Sequence, residues 1–137
     1  MPLDPEVLAD CPYGPGGVLV DEVLEVDVEG RRLSARMPVS AELPLTSAQR
    51  VHPQLHPPHV AAGLMVHVTG ILGYLHLYYI EGLRHRDGWS GFGVRIHGAR
   101  FTRVAHLDAP LHLEVECRGV RRMGDKMFSR YAYRFSQ

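Results

Sequence analysis

Residues 50–79 read RVHPQLHPPHVAAGLMVHVTGILGYLHLYY and hold five of the chain's nine histidines around one apolar run. His52, His56 and His59 stand in a proline-rich approach, while His67 and His76 lie inside the run itself. Pro53, Pro57 and Pro58 exclude a regular helix over the approach, because proline lacks an amide hydrogen and pushes its predecessor out of the helical region. Pro58 suits a first turn, so the sequence predicts one long helix reaching Ile80, apolar nearly all round. The histidines then have three readings: a metal site, buried structural groups, or an acid/base pair beside an apolar substrate.

A helix of that kind needs cover on every side, and the flanking sequence supplies strands. VLVDEVLEVDVEGRRLSARMPV is the clearest hairpin, with Leu24, Val26 and Val28 alternating with Glu25 and Asp27 in its first arm. Leu33, Ala35 and Met37 alternate with Arg32, Ser34 and Arg36 in the second, and Glu29-Gly30 marks the turn. After the helix come three strand candidates. FGVRIHGARF is the first; LHLEVECRGV puts Leu111, Leu113, Val115 and Cys117 on one face, and MFSRYAYRF does so for Tyr131, Tyr133 and Phe135. Ahead of the hairpin, Asp4-Pro5 opens a short helix in LDPEVLADC, and CPYGPGG ends it. The expected architecture is one α+β domain spanning 1–137, a curved antiparallel sheet around a single central helix, with a second copy completing the cover.

Lysine plus arginine equals aspartate plus glutamate at 15 each, so no overall basic excess points to nucleic acid or anionic lipid. Cys11 and Cys117, the only cysteines, match no zinc spacing. With no signal peptide in view, they read as free thiols of a cytoplasmic protein. Val60–Ile80 has the length of a membrane span, but three glycines, two histidines and three tyrosines interrupt it. A buried helix of a soluble domain is the expected reading.

This layout, with these residues, resembles the hot-dog fold and within it the 3-hydroxyacyl-carrier-protein dehydratases. LVDEVLEVDVEGRRLSA looks like that family's opening strand pair. HPQLHPPHVAAGLMV stands in the place of its His-Phe-Pro-Gly…Pro-Gly-Val-Leu segment, with His52 or His56 matching its first histidine; ARFTRVAHLDAPLHLEVE resembles its Arg-Phe…Pro…Leu-x-Leu-x-Val strands, and RYAYRF fits its last strand. The resemblance implies an acyl thioester of coenzyme A or of acyl carrier protein as substrate, no cofactor or metal, and a homodimer or dimer of dimers. The departures are specific. The helix position that carries the dehydratase carboxylate, five residues after Gly63, is Val68, and no carboxylate occurs between Glu42 and Glu81. Hot-dog acyl thioesterases are similar here too, with His56, His67 and Gly88-Trp89 in matching places. Their helix amide has no counterpart, since the chain contains no asparagine.

Among the histidines, the prolines deny His52, His56 and His59 the helical geometry of a zinc site, and no Cys, Asp or Glu stands near to complete a shell. Gly63, His67, Gly70 and Tyr74 share one helix face. His67 is therefore either a core imidazole bonded to a neighbouring strand carbonyl or a catalytic one. His56 is its expected partner before the helix, and His59 can turn to the local backbone. His76 reads as structural, and His85, His97, His106 and His112 as surface residues. The resemblance places the amides of Ala62 and Gly63 at the thioester oxygen, where a helix N-terminus favours developing negative charge. Leu64, Val68, Trp89 and Phe92 are expected to line the acyl tunnel. Dehydration would divide acid and base between His56 and His67. Thioester hydrolysis needs only one base, and a binding protein without turnover needs neither.

Overall fold

The hairpin forms where the alternation places it. In the computed structural model, which describes residues 1–137, β1 (Glu22–Asp27) pairs antiparallel with β2 (Arg32–Met37). Leu33, Ala35 and Met37 of β2 are buried as expected. The first arm differs. A register shift between Val23 and Glu25 turns Val23 into the core at 2 % exposure and leaves Leu24 46 % exposed. One extra residue in a strand inverts the alternation beyond it, and a bulge is not visible in an apolar–polar pattern. At the turn the Asp27 carboxylate accepts from the Gly30 amide at 2.8 Å, and a Cβ on Gly30 would lie 2.1 Å from the other carboxylate oxygen. Any side chain at position 30 would displace that carboxylate.

The sheet continues through β3 (Leu111–Met123) and β4 (Lys126–Ser136) in the order β1-β2-β3-β4, all antiparallel. Leu111, Leu113, Val115 and Cys117 are buried on the face that the sequence assigns to the core. β2 pairs with β3 only over Leu111–Glu116, so the rest of β3 and the start of β4 run on as a two-stranded ribbon. Against β2 and β3 lies α3 (Ala62–Tyr79). Its Leu64, Met65, Val68, Ile71, Leu72 and Leu75 join the sheet residues in one apolar core. The helix begins four residues after Pro58, because the Val60 amide is drawn to the Ala105 carbonyl at 2.9 Å and Ala61 is extended. No helix is long and apolar enough to cross a membrane.

Two short helices, α1 (Pro5–Asp10) and α2 (Pro15–Val18), precede the sheet. Asp4 caps α1 by accepting from the Glu6 amide, as its position before Pro5 predicts. Residues 1–3 lie along β1: the Val23 amide donates to the Met1 carbonyl at 2.9 Å and the N-terminal ammonium to the Val23 carbonyl at 2.8 Å.

The expected strand FGVRIHGARF does not form. Residues 91–104 have no regular secondary structure and no backbone hydrogen bond within the chain, although Phe92, Val94 and Ile96 alternate as a strand face would. Those three side chains are 83 %, 80 % and 67 % exposed. Alternation describes a face, but a strand exists only beside a neighbour that satisfies its amides and carbonyls. β4, the terminal strand, likewise has no backbone partner on its outer edge. The result is an α+β arrangement of an open four-stranded sheet and one long helix, compatible with a hot-dog layout.

Candidate functional site

α3 presents two polar positions nine residues apart, and the fold treats them differently. His67 lies half-buried on the face shared by Gly63 and Tyr74. That face is covered by the N-terminal segment: the Tyr74 hydroxyl donates to the Val7 carbonyl at 2.9 Å, and His67 Nε2 lies 2.6 Å from the Gly17 carbonyl. A carbonyl can only accept, so Nε2 carries the proton and Nδ1 keeps the lone pair. The Tyr13 ring meets the imidazole edge-on, with centroids 4.9 Å apart. The partner carbonyl comes from α2 rather than from a strand.

An open groove of about 270 Å³ runs beside this histidine, lined in part by Gly17, Leu19, Leu45, Gly63, Leu64 and His67. Leu19 and Leu45 both take positive φ, 61° and 67°. Such values are uncommon for a leucine and need the surrounding chain to hold them. At the groove's end α3 begins without a side-chain cap, and the amides of Ala62 and Gly63 find no backbone acceptor. Two N–H donors, a helix dipole and a histidine with a free lone pair therefore adjoin one apolar surface.

The structure brings His67, Gly63 and Leu64 to this groove and sets Ala62 next to it. It does not bring the rest. Val68 is fully buried in the core beneath, not on the groove wall. Trp89 is half-buried in the loop after α3, where its carbonyl meets His85 Nδ1 at 3.0 Å. Phe92 is on the exposed 91–104 segment. His56 is exposed and engaged with its neighbours in the approach: it exchanges backbone hydrogen bonds with His52, and its ring stands 5.0 Å from that of His59. His59 Nδ1 meets the Pro57 carbonyl at 2.8 Å, so it does turn to the local backbone. No group of three histidine, cysteine, aspartate or glutamate side chains is arranged to hold a metal ion.

Gly70 has open space where a Cβ would stand and Gly63 would meet only Leu45 at 3.9 Å, whereas at Gly73 the Tyr133 hydroxyl lies 3.6 Å and Tyr131 3.9 Å from that position. There the second polar position, His76, is fully buried. Its Nδ1 lies 3.3 Å from the Tyr131 hydroxyl and its Nε2 has no hydrogen-bond partner. The Arg31–Glu81 ion pair stands close by. Burial lowers the His76 pKa from its ordinary 6.5; the Glu81 charge opposes this and the Arg31 guanidinium adds to it. Burial likewise pushes Tyr131 up to about 12. The sequence reads His76 as structural; Glu81 follows it by five residues, but the company of Arg31 and Tyr131 has no local signal, because those residues arrive from the β1–β2 turn and from β4.

A third polar centre is Asp10, whose carboxylate accepts from the amides of His85 and Arg86 at 2.8 and 2.9 Å and from the Tyr74 hydroxyl at 3.2 Å. It ties α1, α3 and the loop after α3 together. No protein-family model and no curated protein matches the chain.

Proposed function

We propose that this protein acts on an acyl thioester, bound with its carbonyl oxygen at the Ala62 and Gly63 amides and its acyl chain along Leu64, Leu19 and Leu45. The observation that carries the reading is the conjunction at one groove of unpaired helix-start amides and a histidine whose Nδ1 is free to accept a proton. The groove's volume is near the lower end of ligand pockets, which favours a short acyl chain. Resemblance to the hot-dog dehydratases makes reversible dehydration of a 3-hydroxyacyl thioester the first reaction to test, with His67 Nδ1 taking the proton α to the carbonyl and the resulting imidazolium giving it to the β-hydroxyl, which leaves as water. Thioester hydrolysis is the second. It is favoured by the placement of one histidine, not two, on the groove, since a single base can activate water while the amides hold the oxyanion.

The proposal includes a homodimer. The exposed Phe92, Val94 and Ile96 of 91–104 and a bare β4 edge are the kind of surfaces that a second copy covers. Pairing there would also bring Phe92 out of water.

The test is a thiol-release assay run beside mass spectrometry on 3-hydroxyacyl and enoyl thioesters of several chain lengths. An 18-dalton change with the thioester intact identifies a dehydratase, and release of thiol identifies a thioesterase. His67→Ala should retain the fold and lose turnover by at least about a hundredfold. An unchanged rate, or silence of the folded wild type across the panel, would leave His67 as a core residue bonded to Gly17.

A further inference from the structure

The balance of 15 basic and 15 acidic residues conceals a segregation. β2 pairs with β3 no further than Glu116, so from Gly119 to Arg130 the β3–β4 pair runs on alone as a ribbon of roughly 15 Å. Its turn, Gly124-Asp125, is a tight two-residue loop with Gly124 at a φ of 63°. Arg121 to Lys126 are exposed without a break, so the tip stands free of the body on both faces. Over 117–130 five basic side chains stand against one acidic one, Asp125. Arg118 pairs with Glu116 at 3.2 Å, but Arg121, Arg122, Lys126 and Arg130 make no ion pair within the chain.

The last three rungs of the ribbon repeat one combination: Arg121 stands opposite Phe128, Arg122 opposite Met127 and Met123 opposite Lys126. Each rung joins a cation to a large apolar side chain. Directly opposed residues share a face and successive rungs alternate between faces. Phe128 and Met123 therefore lie on one face and Met127 on the other, each beside its own cation. Phe128 is 47 % and Met123 52 % exposed.

Charge alone keeps an exposed ribbon from pairing with other strands, and three apolar side chains at the tip work against that purpose. A folded protein partner would cover one face of the ribbon and leave the other mixed face in water. The phosphates of a nucleic acid would answer the cations but offer no apolar layer to side chains on opposite faces. An anionic bilayer encloses whatever enters it from both sides. Its acyl boundary lies about 5–10 Å beneath the headgroups, and long basic side chains reach back from there to the phosphates. We propose that the tip of the β3–β4 ribbon docks this protein peripherally on anionic phospholipid. Met123, Met127 and Phe128 enter the boundary between headgroups and acyl chains, while Arg121, Arg122, Lys126 and Arg130 take the phosphates. Each cation contributes about fivefold to the affinity, so the attachment is reversible and sensitive to salt. This inference stands apart from the thioester reading above.

The experiment is sedimentation of the full chain with vesicles of phosphatidylcholine alone, or of phosphatidylcholine and phosphatidylglycerol in equal parts, at low and high salt. Wild type should sediment with the anionic vesicles and not with the neutral ones, and salt should weaken the complex. Arg121→Glu and Arg122→Glu, on opposite faces and each shown folded by circular dichroism, should each lose affinity at least about fivefold. Phe128→Trp should shift its emission to the blue on anionic vesicles, beyond any change that Trp89 gives in wild type. Arg95→Glu/Arg100→Glu, away from the ribbon, should bind as wild type does. Failure to sediment with anionic vesicles, or undiminished binding by both ribbon variants, would overturn the inference. So would an unshifted Phe128→Trp, or an equal loss in Arg95→Glu/Arg100→Glu. A loss confined to one of Arg121 and Arg122 would replace the bilayer with a one-faced partner, and tighter binding to a DNA duplex would replace it with nucleic acid.

Discussion

Residues 1–20 and residues 91–104 both lie outside the sheet, and the molecule treats them in opposite ways. The first stretch is tied down at each step: Met1 exchanges hydrogen bonds with Val23, Asp10 gathers three donors, and the Val7 and Gly17 carbonyls receive Tyr74 and His67. Leu3, Val7, Val18 and Val20 enter the core. The second stretch has the stronger strand alternation and buries none of it. Apolar pattern is a demand for cover, not a guarantee of it. What separates the two is the supply of backbone partners, which residues 1–20 find on β1, α3 and the loop after it.

The comparison can be broken most sharply at Asp10. Asp10→Ala leaves the amides of His85 and Arg86 without the buried carboxylate that accepts from both and should cost about 3 kcal/mol, measured by urea unfolding. Burial by itself would raise the Asp10 pKa, but the Arg86 and His85 amides, the Tyr74 hydroxyl and the Arg86 charge outweigh it and hold the carboxyl below its ordinary 3.8. Its contribution is therefore complete above 3.8 and is lost as pH falls below that through the folded value. The variant's acid unfolding limb should be shallower than that of wild type.

Next in size is a matched pair. Val7→Ala, at a residue 1 % exposed, should cost about 2 kcal/mol. Val94→Ala, at one 80 % exposed, should change the stability of the monomer by less than about 0.5 kcal/mol. A comparable loss at Val94 that grows with protein concentration would show a second copy covering the segment. A smaller effect is expected at His76. A neutral, fully buried imidazole stabilises the fold above its unfolded value of 6.5, and that contribution is lost as pH falls below 6.5 through the lowered folded value. His76→Leu should flatten the fall of Tm over that range; an unaltered profile would move the titration elsewhere. Finally, amide exchange should find 91–104 near the unprotected rate at low concentration and β1 protected. Protection of 91–104 that appears on concentration would place the missing neighbour in a partner.

Local pattern proved most legible where one residue's surroundings are set by its immediate neighbours. Asp4 caps α1, Leu33, Ala35 and Met37 turn inward, and the inward face of β3 is Leu111, Leu113, Val115 and Cys117, all as periodicity predicts. It failed at Leu24, where a bulge inverts the strand, and at FGVRIHGARF, where no neighbour is present. Of the candidate site, the Gly63, Leu64 and His67 cluster follows from helical spacing of three and four. The groove's other wall, Gly17, Leu19 and Leu45, does not, because those residues arrive from α2 and the loop before α3.

The α+β class, the single long helix and the grouping of His67 with Gly63 on one helix face follow from residue order alone, because they depend on periods of two and 3.6 residues. Which nitrogen of His67 is free, that His56 remains outside the groove and that His76 is sealed beside Tyr131 are set by packing between distant segments. Hydrogen bonds, burial and electric fields depend on separation in space, and residues fifty or more positions apart, such as Gly17 and His67 or His76 and Tyr131, are brought within bonding distance only by the packing of the whole core.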